Sequence, residues 1–135
     1  MITAFDTNVL LDILIPNEKF FAASLRSIEE AAHDGSLVVC DYVYAELCCQ
    51  FAAQKECDRF LEENEIRVES LSRAAHFLAS RAWRQYRAGG GKRVRILADF
   101  FIAAHAQKQA DRLLTRDRGF YAGLFPSLKI VDPSL

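Results

Sequence analysis

Short apolar runs alternate along the chain with longer stretches in which apolar residues recur at helical spacing. Ile2 to Phe5 is the first run, with a β-branched start, and it stops abruptly at Asp6-Thr7-Asn8. That triplet carries helix-capping side chains, and Val9, Leu10, Leu11, Ile13 and Leu14 follow it. The pattern therefore predicts strand, polar turn and helix, closed by Ile15-Pro16. Asn17 is placed to cap a second helix to about Ala32, with Phe20, Phe21, Leu25, Ile28 and Ala32 near a 3.6 period, and Asp34-Gly35-Ser36 stops it. Leu37-Val38-Val39-Cys40 reads as a second strand, and Asp41 caps a helix bearing Val43, Tyr44, Leu47, Cys48 and Phe51. A short helix from about Glu56 to Glu63 leads to a third strand at Ile66-Arg67-Val68. Ser70 or Ser72 then opens a long helix through Tyr86, with Ala75, Phe77, Leu78, Ala82 and Trp83 along it. Arg87 to Arg95 is a basic loop around Gly89-Gly90-Gly91, and an apolar helix runs from about Leu97 to Gln109. Arg112 to Thr115 and Lys129 to Val131 supply a fourth and a fifth strand. Strands alternating with helices predict an α/β fold whose mostly parallel sheet of about five strands is covered on both faces.

Composition supports one compact domain over residues 1–135. The chain is 51% hydrophobic, with only 6 Gly and 3 Pro, which excludes disorder and collagen-like repeats. A net charge of −1 argues at first against a nucleic-acid partner. The charge is nevertheless divided. Residues 1–67 hold 5 Lys/Arg against 13 Asp/Glu, whereas residues 68–135 hold 12 against 5. Such asymmetry marks a charged partner. The start lacks the features of a signal peptide, and no uncharged stretch approaches a membrane span, so a soluble cytoplasmic protein without membrane contact is expected. Cys40, Cys48, Cys49 and Cys57 have neither redox-pair nor zinc-ligand spacing and read as reduced thiols.

In an open parallel sheet, ligand chemistry gathers at the carboxyl ends of the strands. Asp6 directly follows the first strand, Glu46 lies in the second turn of the helix after the second, and Asp117 follows the fourth. Asp99 opens the apolar helix, between Ile96-Leu97-Ala98 and Phe100-Phe101-Ile102. Each acid taken alone also fits capping or a solvated turn. The surroundings of Asp99 argue otherwise, since a carboxylate in an apolar segment is costly unless paired or metal-bound. Four converging carboxylates call for a divalent cation, and oxygen-only ligands point to Mg2+ or Mn2+. Such a centre suits attack of water on a phosphodiester. Thr7, Asn8 and Thr115 are candidate supporting polar groups, with plain capping as their alternative role. Asp12, Asp41 and Asp111 read as helix or turn acids.

The basic segment offers a substrate surface. Arg81, Arg84 and Arg87 recur every three residues beside Trp83 and Tyr86, Lys92, Arg93 and Arg95 follow, and no acid falls between Arg73 and Asp99. Arginines recognise phosphates and exposed aromatics stack on unpaired bases, although a solvated helix face with Trp83 in the core has the same pattern. Arg116 joins these residues as a candidate for binding nucleic acid. The glycine run lacks P-loop order, and there is neither a G-x-S-x-G elbow nor an H-E-x-x-H pair.

Four segments carry a family resemblance: Phe5-Asp6-Thr7-Asn8-Val9-Leu10-Leu11-Asp12, Val43-Tyr44-Ala45-Glu46-Leu47, Leu97-Ala98-Asp99-Phe100-Phe101-Ile102-Ala103-Ala104-His105-Ala106 and Leu114-Thr115-Arg116-Asp117-Arg118-Gly119-Phe120-Tyr121. Together they resemble the acidic motifs of PIN-domain ribonucleases, and the single compact domain is most similar to VapC toxins of toxin–antitoxin pairs. The resemblance implies a three-layer α/β/α fold, homodimers, metal-dependent cleavage of a structured RNA such as tRNA, and inhibition by a VapB-like antitoxin. By position it assigns the metal-binding and catalytic acids to Asp6, Glu46, Asp99 and Asp117. Ala98 stands where many members have Pro, a residue that mainly sets helix entry. Two other readings start from the same residues: an aspartyl-type phosphotransferase, which normally wants an Asp where Asn8 stands, and a non-catalytic RNA-binding or phosphoacceptor module.

Overall fold

The computed structural model describes residues 1–91 and 97–135. In chain order its elements are β1 (Ile2–Phe5), α1 (Thr7–Leu14), α2 (Phe21–Asp34), β2 (Ser36–Cys40), α3 (Asp41–Cys48), α4 (Gln54–Glu63), β3 (Ile66–Glu69), α5 (Arg73–Ala88), α6 (Ala98–Gln109), β4 (Arg112–Leu114), α7 (Arg118–Leu124) and β5 (Ile130–Val131). The five strands form one sheet in the order β3-β2-β1-β4-β5. Every pairing is parallel, with Ala4 opposite Val38 on one side and Leu113 on the other. Successive strand residues point to opposite faces, yet Thr3, Ala4 and Phe5 are all buried, as are Leu37, Val38, Val39 and Cys40. Helices must therefore cover both faces, which makes the fold a three-layer α/β/α sandwich.

The strand order fixes where a site can form. From central β1 the chain moves outward to β2 and β3, then returns to β4 on the other side. The crevice at the carboxyl ends of β1 and β4 is the topological switch point, where ligands bind in folds of this kind. The Asp6 amide, at 3.0 Å from the Leu114 carbonyl, extends the β1–β4 ladder into that crevice.

Local chemistry explains the helix starts. The Asp6 carboxylate accepts from the Thr7 amide to cap α1, and the Ser72 hydroxyl accepts from the Ala75 amide to cap α5. Asn17 behaves differently from a simple cap. Its side-chain oxygen takes the amides of both Lys19 and Phe20, forming a separate turn, and regular helix begins only at Phe21. The inward face of α2 is Ser24, Ile28 and Ala31, while Ala32 is exposed, because Ser24 and Ala31 share the stripe of Ile28 at spacings of four and three. The helix α7 has no counterpart in the sequence pattern. It is seven residues long, contains Gly119 and Gly123 and has weak helical propensity, and it is anchored by the burial of Tyr121 with Phe125 just beyond its end.

Phe100 organises the packing beneath the first turn of α6. Its ring meets Trp83 edge-on at 5.5 Å, Tyr86 at 5.6 Å, Phe120 at 5.7 Å and Phe125 at 6.2 Å between centroids. Trp83 and Tyr86 are half-buried parts of this cluster, so neither is a free stacking platform for bases. Replacing Phe100 with Ala empties a fully buried aromatic site, and we expect a loss of about 3–5 kcal/mol of stability in urea unfolding. A loss under about 1 kcal/mol would show that this cluster does not hold α6 to α5 and α7.

Candidate active site

Asp6 is the centre of the crevice. It is only 5% exposed, yet its carboxylate is fully engaged. One oxygen, Oδ1, accepts from the Thr7 amide at 2.7 Å. The other, Oδ2, accepts from the Thr115 hydroxyl at 2.8 Å, the Tyr121 hydroxyl at 2.9 Å and the Asn8 side-chain amide at 3.3 Å. Burial raises its pKa, hydrogen bonds from Thr115, Tyr121 and the Thr7 amide oppose the rise, and the Glu46 charge adds to it.

The other three acids surround it from different elements. Asp99 sits in the first turn of α6 and accepts from the Tyr121 hydroxyl at 3.3 Å. Burial pushes its carboxyl up to about 6, with further upward contributions from Asp6, Glu46 and Asp117 against the Tyr121 bond. Glu46, on the exposed side of α3, accepts a short hydrogen bond from the Thr7 hydroxyl. Asp117 is exposed at the entrance to α7 and adds its charge to the field on Asp99 and Tyr121. The fold thus brings all four sequence-selected acids into one electrostatic unit. Among the described residues, no Lys or Arg forms a salt bridge with any of them.

The three supporting polar residues hold this arrangement together. Thr7 links α1 to Glu46, and Thr115 donates to Asp6 while accepting from the Asp117 amide at 3.0 Å. Asn8 reaches Asp6 and Thr115 with its NH2 group and accepts the Arg116 amide at 3.2 Å through its oxygen. Tyr121 was not selected from the sequence, although its hydroxyl donates towards both Asp6 and Asp99. The available signal was its spacing of four from Asp117, but that spacing becomes informative only once α7 is known to exist. Burial, with the charges of Asp6 and Asp99, drives the Tyr121 phenol far upward and keeps its proton in place.

The basic candidates divide. Arg81, Arg84 and Arg87 are exposed along α5, with Arg81 over the Phe77 ring at 4.5 Å and Arg87 over Trp83 at 5.6 Å. The Tyr86–Phe100 contact sets the last turns of α5 beside the turn that carries Asp99. Lys92, Arg93 and Arg95 lie outside the described residues. Arg116 does not join the basic face. Its guanidinium grips Asp12 through Nε at 2.8 Å and a terminal nitrogen at 3.0 Å, and stacks over Phe20 at 3.8 Å. Asp12 is correspondingly no ordinary helix acid, being 3% exposed and also bonded by the Ser24 hydroxyl at 2.6 Å. Asp111, read as a turn acid, accepts the Ile2 amide at 2.6 Å and so ties the start of β1 to the approach to β4.

A hard divalent cation fits this donor chemistry, because the site offers mutually repelling carboxylate oxygens and neutral hydroxyls, with neither thiol nor imidazole. Among the described residues, no three acids, imidazoles or thiols already close on a single point as a ligand cage. The Tyr121 hydroxyl bridges Asp6 and Asp99, while the Thr115 and Thr7 hydroxyls donate to Asp6 and Glu46 respectively.

Comparison with known proteins places the fold. The family model described as the PIN domain matches residues 4–123. No curated protein sequence matches the chain at a significant level. Among solved structures, the chain resembles VapBC-1 from nontypeable Haemophilus influenzae with a TM-score of 0.74 and 18% identity, each chain covered over 100% of its length. VapBC2 from Rickettsia felis, bound to a DNA fragment from its promoter, gives a TM-score of 0.70 at 18% identity and covers 98% of both chains. A toxin–antitoxin complex from Klebsiella pneumoniae gives 0.69 at 18% identity and covers 97% of both. At these identities the likeness establishes the fold.

The raised Asp99 carboxyl has a consequence for stability. Between its ordinary value of 3.8 and about 6, the folded protein holds a proton there that the unfolded chain has released. This group's contribution to metal-free stability is therefore largest at low pH and is lost as pH rises through that window. In EDTA, urea unfolding from pH 4.5 to 7 should show a smaller fall in stability for Asp99→Asn than for the wild type. Identical slopes in the two proteins would contradict the placement of Asp99.

Proposed function

Because the chain belongs to the PIN domain family, we propose that it is a VapC-like nuclease toxin, a metal-dependent endoribonuclease that hydrolyses RNA phosphodiester bonds. The observation that carries this reading is the cluster of Asp6, Glu46, Asp99 and Asp117 at the β1–β4 switch point. These are four repelling acids with no salt-bridged Lys or Arg among the described residues. The four carboxylates are the groups that would hold Mg2+ or Mn2+. Such a cation, when bound, supplies Lewis acidity at the phosphodiester and a water acidic enough to attack. The chain's own contribution is preorganisation. Thr115 and Tyr121 fix the Asp6 oxygen Oδ2, Tyr121 extends the same hydroxyl to Asp99, and Thr7 sets Glu46. Arg81, Arg84 and Arg87 would hold RNA phosphates along α5.

The substrate we propose is a structured RNA such as tRNA. The partners are a VapB-like antitoxin and a second copy of the chain in a homodimer, and the site of action is the cytoplasm. Support for the antitoxin comes from the similar VapBC and toxin–antitoxin complexes, and no described helix is long and apolar enough to cross a membrane. Aspartyl phosphotransfer is less well matched, because it normally wants a second Asp two residues after the first, where Asn8 stands.

Purified protein should cleave RNA in Mg2+ or Mn2+ and stop in EDTA, and Asp6→Asn or Asp99→Asn should reduce cleavage by at least about 100-fold. Full activity in either variant removes the four-acid site. Expression of the wild type should arrest growth, and expression of Asp6→Asn should not.

On the basic face, Arg84→Ala should weaken RNA binding and lower the slope of log affinity against log salt by roughly one. An unchanged slope would remove α5 from the substrate surface.

A further inference from the structure

We propose that Asp12 and Arg116 are positioning residues, an ionic clamp between a buried acid and a half-buried arginine that sets the segment carrying Thr115 and Asp117. This inference rests on the nuclease reading of the site and assigns Arg116 a role within the protein in place of direct RNA contact. Three observations carry it.

The first is geometric. The guanidinium meets the Asp12 carboxylate through two nitrogens, at 2.8 and 3.0 Å, the fork-on-fork arrangement that fixes orientation as well as distance. The second is burial. Asp12 is 3% exposed on α1, its pairing is supplemented by the Ser24 hydroxyl from α2, and the Phe20 ring covers the guanidinium face. A charge in such a place is retained only with its partner present. The third is connectivity. The backbone amide of Arg116 is held by Asn8, the next amide, of Asp117, is held by Thr115, and Thr115 itself donates to Asp6. Arg116 therefore has its side chain anchored in the α1–α2 corner while its backbone lies between the supporting Thr115 and the acid Asp117. Movement of the guanidinium is transmitted directly to the Thr115–Asp117 turn.

Loss of the clamp should leave the substrate surface intact and misplace the acids. A displacement of that kind costs turnover more than binding. We expect Asp12→Asn and Arg116→Gln each to lower kcat by about 10–100-fold with KM within about two-fold. The double variant should be no worse than the poorer single, because the two side chains act as one unit. RNA affinity in EDTA and its salt slope should match the wild type in all three. Far-ultraviolet circular dichroism and thermal unfolding identify variants that fail to fold. For these, Arg116→Lys serves instead: it keeps the charge but lacks the fork, and it should show the same kcat loss.

Amide hydrogen exchange provides a readout independent of cleavage. Exchange at residues 115–118 should accelerate in Asp12→Asn and in Arg116→Gln. If the wild type cleaves no RNA while this acceleration is seen, the nuclease reading fails and the clamp stands. The clamp is overturned if exchange at 115–118 is unchanged in Asp12→Asn. It is equally overturned if Arg116→Gln weakens RNA binding and flattens the salt slope while Asp12→Asn leaves kcat untouched, the signature of a direct phosphate contact.

Discussion

A buried carboxylate at the end of the central strand is the constraint on which the rest of the structure depends. An ionised Asp6 at 5% exposure is expensive unless its oxygens are satisfied, and the fold satisfies both of them. One donor is the first amide of α1, which makes the same carboxylate a helix cap. The others arrive from the β4 exit and from α7, through Thr115 and Tyr121. Asp6 is thus a mechanical junction as well as the centre of the acid cluster. Its hydrogen bonds join the start of α1, the β4 exit and α7.

Around that junction the protein tolerates repulsion that a purely structural site would relieve. Asp99 lies near the amino end of α6, where the helix dipole favours negative charge, but burial and its acidic neighbours outweigh this and raise its carboxyl to about 6. By contrast, three acids elsewhere in the structure are paired: Asp12 with Arg116, Asp34 with Arg112, and Glu69 with Arg67 and His105. The burial of Asp6 and the raised carboxyl of Asp99 set the cluster apart from ordinary surface acidity.

The same contrast gives meaning to the charge distribution. A net charge of −1 conceals an acidic first half and a basic second half. Asp6 and Glu46 from the first half meet Asp99 and Asp117 from the second at the crevice, while Arg81, Arg84 and Arg87 line the exposed side of α5. A neutral total is therefore compatible with a polyanionic substrate, provided that the basic face borders the acids. Phe100 of α6 packs against Trp83 and Tyr86 of α5 and Phe120 of α7, and so links these helices beside the acids.

Much of this was legible in the residues alone. The five strands, their parallel pairing and the acids at the strand ends followed from apolar runs, polar stops and the rule that ligands gather at carboxyl ends, all of which are local or topological. Asp99 stood out as a charge in an apolar segment. Asp12, within Val9-Leu10-Leu11-Asp12-Ile13-Leu14, carried the same signal, but its meaning depended on a partner 104 residues away. Arg116 looked basic and free for the same reason. Tyr121 joins Asp6 across a separation of 115 residues, from a short helix whose propensity is too weak to announce it. By itself, the sequence determined which elements form and which acids stand at their ends, because those depend on near neighbours along the chain. Only the tertiary structure decided which charges are neutralised and which remain, because pairing depends on distances that folding alone creates.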